Sequence, residues 1–258
     1  MTKGSAEDIK SGAILTFTRL PNLSIDLALM SLWRSEPEPK PVLNPPPVFN
    51  QLMKVPAIHL PRNRAMKEAA YEFGNLDPLE GLPYMDAVQL QLHNSFRTGS
   101  YVADGELMRE IEKIHYDEYE AIKDVVGLMT TITFQAIPPS AVKAGATKRG
   151  GNVLGLEERL KENSPPYMWT EQFVGWAKEK DTERVEGVQR KIWNLAKEAA
   201  EKRGLFDPFI YLNDASTEQA ADVFPSYGKT NHEFLKTVRD KYDPSGVFTK
   251  LMPGGFKV

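Results

Sequence analysis

The chain of 258 residues is long enough to bury a sizeable core, and its 41% hydrophobic and 26% charged residues mark a globular protein. A formal net charge of -3, with lysines and arginines scattered among acids, excludes a nucleic-acid footprint. The lack of cysteine excludes disulfides, thiolate nucleophiles and cysteine-ligated metals, and His59, His93, His115 and His232 stand too far apart to suggest a metal site.

Residues 1–10 read as a flexible polar tail without the apolar run of a signal peptide. No later stretch has the length of a membrane span, so a cytoplasmic protein with no membrane partner is expected. Residues 11–258 read as a single domain. "GAILTFTRL" and "LSIDLALMSLW" predict two strands joined at Pro21 and Asn22 as a hairpin. "SEPEPKPVLNPPP" is too rich in proline for helix or inner strand, and a short helix fits Asn63 to Phe73. "MDAVQLQLHNSFRT" alternates as a strand does. "DGELMREIEKIHYDEYEAIKDV" predicts the clearest helix, with Asp104 as its N-cap and Leu107, Ile111, Ile114 and Tyr119 near one face.

"LMTTITFQAI" predicts another strand, ended by Pro138 and Pro139. The helix "DTERVEGVQRKIWNLAKEAAEKRG" follows, with a stripe of Val185, Val188, Ile192, Leu195 and Ala199 and a C-terminal cap at Gly204. "FDPFIYLND" reads as a further strand and "NHEFLKTVRDKY" as a last helix. A hairpin followed by strands separated by helices predicts an α+β fold, with an antiparallel or mixed sheet, helices packed on one face, and the other face lining a pocket.

Side chains two apart share one face of a strand. The rows Gln89, Gln91, His93 and Ser95; Met129, Thr131, Thr133 and Gln135; and Phe209, Tyr211 and Asn213 are rich in neutral hydrogen-bonding groups and aromatics and contain no Lys, Glu or Arg. A solvated sheet surface is the ordinary meaning of a polar row. Neutral polar groups among aromatics instead suit a small-molecule pocket. His93 is the group in these rows that titrates near neutrality. "GGNVLGL" lacks the spacing of a dinucleotide-binding loop, and no nucleophile elbow, phosphate loop or carboxylate pair is apparent.

Several carboxyl-terminal pieces occur together: "GGNVLGL" (Gly150 to Leu156), "FIYLNDAS" (Phe209 to Ser216), "SYGKTN" (Ser226 to Asn231) and "KYDPSGVFTKLMPGGFKV" (Lys241 to Val258). With "PPVFNQLMKVPAI" and "LMTTITFQAIPPS", their order and spacing resemble the carboxyl half of fungal FAD-linked oxidoreductases of the berberine-bridge-enzyme-like group, in the vanillyl-alcohol-oxidase superfamily. The resemblance spans most of Ile9 to Val258. It implies a substrate domain whose antiparallel sheet roofs the flavin and substrate, with Tyr211 and Asn213 lining the pocket. The amino-terminal FAD-binding domain of that family is missing from the sequence, so no cofactor is expected.

The expected function is a cofactor-independent isomerase or cyclase, including a Diels–Alder-type cyclisation, acting on an apolar fungal natural-product intermediate. Holding a flexible substrate in its reactive conformer beside one or two hydrogen-bond donors suffices for such chemistry. The candidate catalytic residues are His93, Gln91 and Asn213, and the candidate substrate-binding residues are Gln89, Thr131, Thr133, Gln135 and Tyr211. The alternatives are a non-catalytic partner of a flavoprotein, or a fragment of an FAD-dependent oxidoreductase. Loss of a covering domain also raises the expectation of a homodimer, and Phe248, Leu251, Met252 and Phe256 are expected to lie against the chain's own sheet or a second copy.

Overall fold

A computed structural model describes residue 8 and residues 10–36, 47–58, 92–148, 151–159, 165–252 and 254–258. The expected helix at Asn63 to Phe73, most of the proline-rich link, and Gln89 and Gln91 lie outside the described residues.

Six strands form one sheet: β1 (Ser11–Leu20), β2 (Ile25–Arg34), β3 (His93–Val102), β4 (Met129–Ile137), β5 (Tyr167–Trp176) and β6 (Phe206–Asp207). Their order is β2-β1-β4-β5-β3-β6 and every pairing is antiparallel. β1 and β2 make the expected hairpin, paired one to one from Leu20↔Ile25 to Ser11↔Arg34. Ser24 closes its turn in the left-handed region, with φ 53°. β5 lies antiparallel between β4 and β3, so β3 and β4 run parallel and are linked by a helical crossover.

That crossover is α1 (Gly105–Glu120), capped as expected: Asp104 accepts from the backbone N–H of Glu106 and Leu107 at 3.0 and 2.8 Å. Between β4 and β5 lie α2 (Pro139–Lys148) and the single turn α3 (Leu156–Arg159). α4 (Thr182–Lys202) returns across the sheet and ends where expected. Gly204 takes φ 65°, and the N–H of Leu205 reaches back to the carbonyl of Ala200 at 2.9 Å. The short α5 (Ala220–Val223), α6 (Lys229–Tyr242) and α7 (Val247–Lys250) complete the chain.

One sheet face packs on α1 and α4. Ile132, Phe134, Met168 and Tyr101 meet Leu107, Ile111, Ala196, Ala199 and Ala200, while Val174 and Trp176 meet Tyr119, Val185 and Ile192. Of the expected stripe, Val185, Ile192 and Ala199 are buried and Val188 packs half-buried against the same cluster, while Leu195 is only half-buried and the further fully buried positions include Gln189 and Ala196. Gln189 is tolerated there because its amide spans two strands, bonding the Ser95 hydroxyl at 2.8 Å and the carbonyls of Ser95 and Gln172 at 3.2 Å.

The opposite face is covered at one end. Tyr167, Trp169, Phe209, Ile210, Val223 and Tyr227 pack there with Val142 of α2 and Leu156 of α3. Phe256 joins this cluster, as expected of the carboxyl-terminal segment. Phe248, within α7, and Leu251 and Met252 just after it do not: all three are exposed. Among the described residues the rest of this face is only partly covered: Thr16, Thr18, Thr131, Thr133, Glu171 and Phe173 are half-buried, and Phe96, Leu27 and Leu29 are exposed.

Candidate functional site

Cross-strand register decides which residues share the open face. The pairs Thr131↔Phe173 and Phe96↔Phe173 put Thr131, Phe173 and Phe96 in one row across β4, β5 and β3. The next row is Thr16, Thr133, Glu171 and Thr98, and the one after it Ile14, Gln135, Trp169 and Ser100. Thr131, Thr133 and Gln135 therefore stand together as expected.

His93 does not stand with them. It pairs with Trp176, stacks on that ring at a centroid distance of 5.8 Å, and belongs to the helix face with Ser95 and Arg97. Two-residue periodicity sorts one strand into rows but says nothing of which row meets which across a ladder. His93 is also solvent-exposed at the strand end, far in register from Thr133.

Tyr211 and Asn213 reach the open face from a turn rather than a strand. β6 lasts two residues because the Asp207 carboxylate accepts the N–H of Phe209 at 2.8 Å, and Pro208 has no N–H to continue the ladder. The chain then folds as a 3-10 turn over Leu212–Asp214. Tyr211 stacks on Trp169 at 4.4 Å, and the Asn213 amide donates to the Tyr211 hydroxyl at 2.8 Å.

Gln219 holds this turn in place. Its buried amide acts as a surrogate peptide on the free edge of β3, accepting from the N–H of Thr98 at 3.2 Å and donating to the Thr98 carbonyl at 2.9 Å. The same Oε1 accepts the N–H of Ser216 at 3.1 Å. On the outer side Glu218 is held by Arg97 and by Arg190, the latter at 3.0 Å. Four residues before Ser216 and Gln219 close their capping box, the turn begins that brings Asp214 beside β5.

There Asp214 faces Glu171, a residue absent from the sequence-based candidates. Glu171 sits at the middle of β5 between Thr98 and Thr133, half-buried. Burial, and second the charge of Asp214, push its carboxyl up to about 7, while burial pushes Asp214 up to about 6. The threonine hydroxyls beside it are tied into the sheet: Thr133 to Thr16 at 3.1 Å, Thr131 to Thr18 at 3.2 Å, and Thr98 to the Thr170 carbonyl at 2.9 Å. Across the five long strands, every other open-face position is apolar, aromatic, glycine or neutral polar. A lone carboxyl titrating near neutrality on such a surface can both accept and donate a proton. A cavity at the start of α1, lined by Met108, Phe134, Ala136 and Met168, lies on the helix face, away from this group.

Two other findings bound the chemistry. Among the described residues no group of histidines and carboxylates could hold a metal ion, and no helix is long and apolar enough to cross a membrane. The helices that back the sheet offer no pyrophosphate cradle either: α1 opens on Asp104 and Glu106, α4 on Asp181 and Glu183. The acidic starts of α1 and α4 thus do not fit the adenosine-diphosphate half of FAD.

Fold and site together define an α+β domain whose aromatic and hydroxyl-rich antiparallel sheet carries the Glu171 carboxyl, with the Asp214 carboxyl beside it. No family model matches the chain. Its relatives include several fungal FAD-dependent monooxygenases. It is 35% identical over 173 residues to the FAD-dependent monooxygenase tpcD of Cochliobolus heterostrophus, covering 65% of this chain and 32% of that protein. It is 30% identical over 164 residues to the bifunctional solanapyrone synthase of Alternaria solani, covering 64% and 30%. A match of 37% identity to the oligopeptidase PhomG' of Diaporthe leptostromiformis covers 54% of this chain but 11% of that protein. The chain thus spans a third or less of the length of these relatives.

Proposed function

We propose that the chain is the substrate-binding part of a fungal secondary-metabolism oxidoreductase, and that Glu171 moves a proton on an apolar, hydroxylated substrate laid across the open face. The observation that carries this reading is the single carboxyl at the centre of that face, pushed up to about 7. In its ionised form Glu171 removes a proton from an acidic C–H or hydroxyl of the substrate, and the carboxylic acid so formed returns it at a second position. Trp169 and Tyr211 give the substrate an aromatic wall, and Gln135, Asn213 and the threonines orient its polar groups. FAD, held by the remaining length of a full oxidoreductase, would provide the redox chemistry. The resemblance to berberine-bridge-enzyme-like proteins supports the same arrangement.

The similarity to a bifunctional synthase favours a second reading, in which the chain alone catalyses a cofactor-free isomerisation or cyclisation. An isomerisation of this kind would use Glu171 as its base, whereas a pericyclic cyclisation would need only the shaped aromatic face and its hydrogen-bond donors.

The test uses 5-nitrobenzisoxazole, a flat aromatic probe from which a base removes the ring C–H proton while the N–O bond breaks, releasing a coloured cyanophenolate. The chain is expected to accelerate this elimination with a rate that rises through a midpoint near pH 7, and Glu171→Gln is expected to abolish the acceleration. Equal rates for the two proteins would refute the assignment. Flavin copurifying with the isolated chain would count against the second reading.

A further inference from the structure

β2 ends the sheet, and among the described residues no strand pairs with its outer side. Edge strands of stable monomers are usually short, bulged, or interrupted by proline or lysine. β2 has none of these: "IDLALMSLWR" runs ten residues in unbroken register with β1. Apart from Ser31, its open-face side chains are apolar and exposed, with Leu27 at 55%, Leu29 at 61% and Trp33 at 45% exposure.

The direction of its free peptide groups follows from the hairpin. Ser35 donates to the Lys10 carbonyl at 2.9 Å, continuing the β1–β2 ladder, so the odd-numbered residues of β2 direct their N–H and C=O toward β1. Asp26, Ala28, Met30, Leu32 and Arg34 therefore direct theirs outward.

We infer that this edge pairs with β2 of a second copy, antiparallel about a two-fold axis at Met30. A two-fold pairing must keep open face with open face, which restricts the centre to one residue opposite itself. Centring on Met30 matches all five outward residues, Asp26↔Arg34, Ala28↔Leu32 and Met30↔Met30, and forms about ten inter-chain hydrogen bonds. Centring on Leu29 or Ser31 leaves outward groups without a partner. The Met30 register also sets the acid at one end of the strand opposite the base at the other. Asp26 and Arg34 already hold intramolecular partners, Asp26 with Arg19 at 2.7 Å and Arg34 with Asp8 at 3.4 Å, so the cross-pair extends two existing ion clusters. On the open face, Leu27 comes opposite Trp33 and Leu29 opposite Ser31, so the exposed apolar side chains of the two copies are brought together. The occupant is a second copy because a different partner would have no reason to match this self-complementary order of charge and outward peptides.

Sedimentation at tens of micromolar is expected to give twice the chain mass of 29.0 kDa. Leu27→Lys combined with Leu29→Lys, at positions that touch no core, is expected to give a folded monomer at the same concentration. The chain has no cysteine, so Met30→Cys places one thiol at the axis, and mild oxidation is expected to link two chains in high yield, with Asn22→Cys as a control that does not link. A monomeric wild type, the outcome if a flavin-bearing segment covers this edge instead, overturns the proposal. So does a dimer that survives both lysines and fails to cross-link at position 30.

Discussion

Replacing Glu171 by Gln removes a charge that the fold does not favour, and the pH dependence of stability should report it. In the unfolded chain this carboxyl titrates at its ordinary value of 4.5, and in the folded chain at about 7. Between those values the folded state binds more protons than the unfolded state, so stability contributed by this group is full below pH 4.5 and is lost as pH rises through 7. A difference of about 2.5 units corresponds to about 3 kcal/mol. Glu171→Gln, near-isosteric with the protonated acid, is therefore expected to match the wild type at pH 4.5 and to exceed it by about 3 kcal/mol at pH 8. Urea unfolding of both proteins across that range is the assay. Parallel stability curves would refute the reasoning, because they would mean that the carboxylate is as well solvated folded as unfolded. A gain in stability joined to a loss of proton transfer is the signature of a group kept for its chemistry rather than for the fold.

Other consequences follow from the same geometry. Gln219→Ala removes three hydrogen bonds and leaves the Thr98 N–H without its edge partner, while the Thr98 carbonyl keeps the Trp193 indole N–H at 3.0 Å, and is expected to cost about 2–3 kcal/mol. Hydrogen exchange should locate the loosening in residues 211–219 and at Thr98, and uniform protection loss would argue against a local latch. His115 is fully buried with neither ring nitrogen hydrogen-bonded, and burial, then the charge of Arg19, push it down to about 3. A folded value below the unfolded 6.5 means that stability falls as pH drops from 6.5 toward 3, so His115→Phe should move acid unfolding to lower pH; an unchanged acid midpoint would contradict the burial argument.

Much of the scaffold is legible in the sequence because it is local. The hairpin, the Asp104 cap of α1, β4 and the Gly204 end of α4 each rest on residues a few positions apart, and the threonine and glutamine row of β4 faces the open side as its alternation implies. What escapes is set by pairing. β5 carries the central carboxyl, yet "YMWTEQFVGW" is buried at eight of its ten positions and so lacks the polar–apolar alternation that reveals a strand. Its one signal is a lone Glu in an aromatic, otherwise uncharged stretch. His93 falls on the helix face because register, not periodicity, joins rows across strands. "FIYLND" alternates like a strand but is turned aside by Asp207 and Pro208 one step earlier. Even so, Tyr211 and Asn213 reach the same surface from the turn that brings Asp214 to Glu171.

The central claim is that Glu171 handles protons near neutrality, and its side-chain carboxyl can be followed directly. With glutamate labelled with carbon-13 at the side-chain carboxyl, and Glu171→Gln to assign the signal, nuclear magnetic resonance is expected to show a titration midpoint near 7, lowered when Asp214 is replaced by Asn. A midpoint in the ordinary range around 4.5, unmoved by Asp214→Asn, would contradict the account.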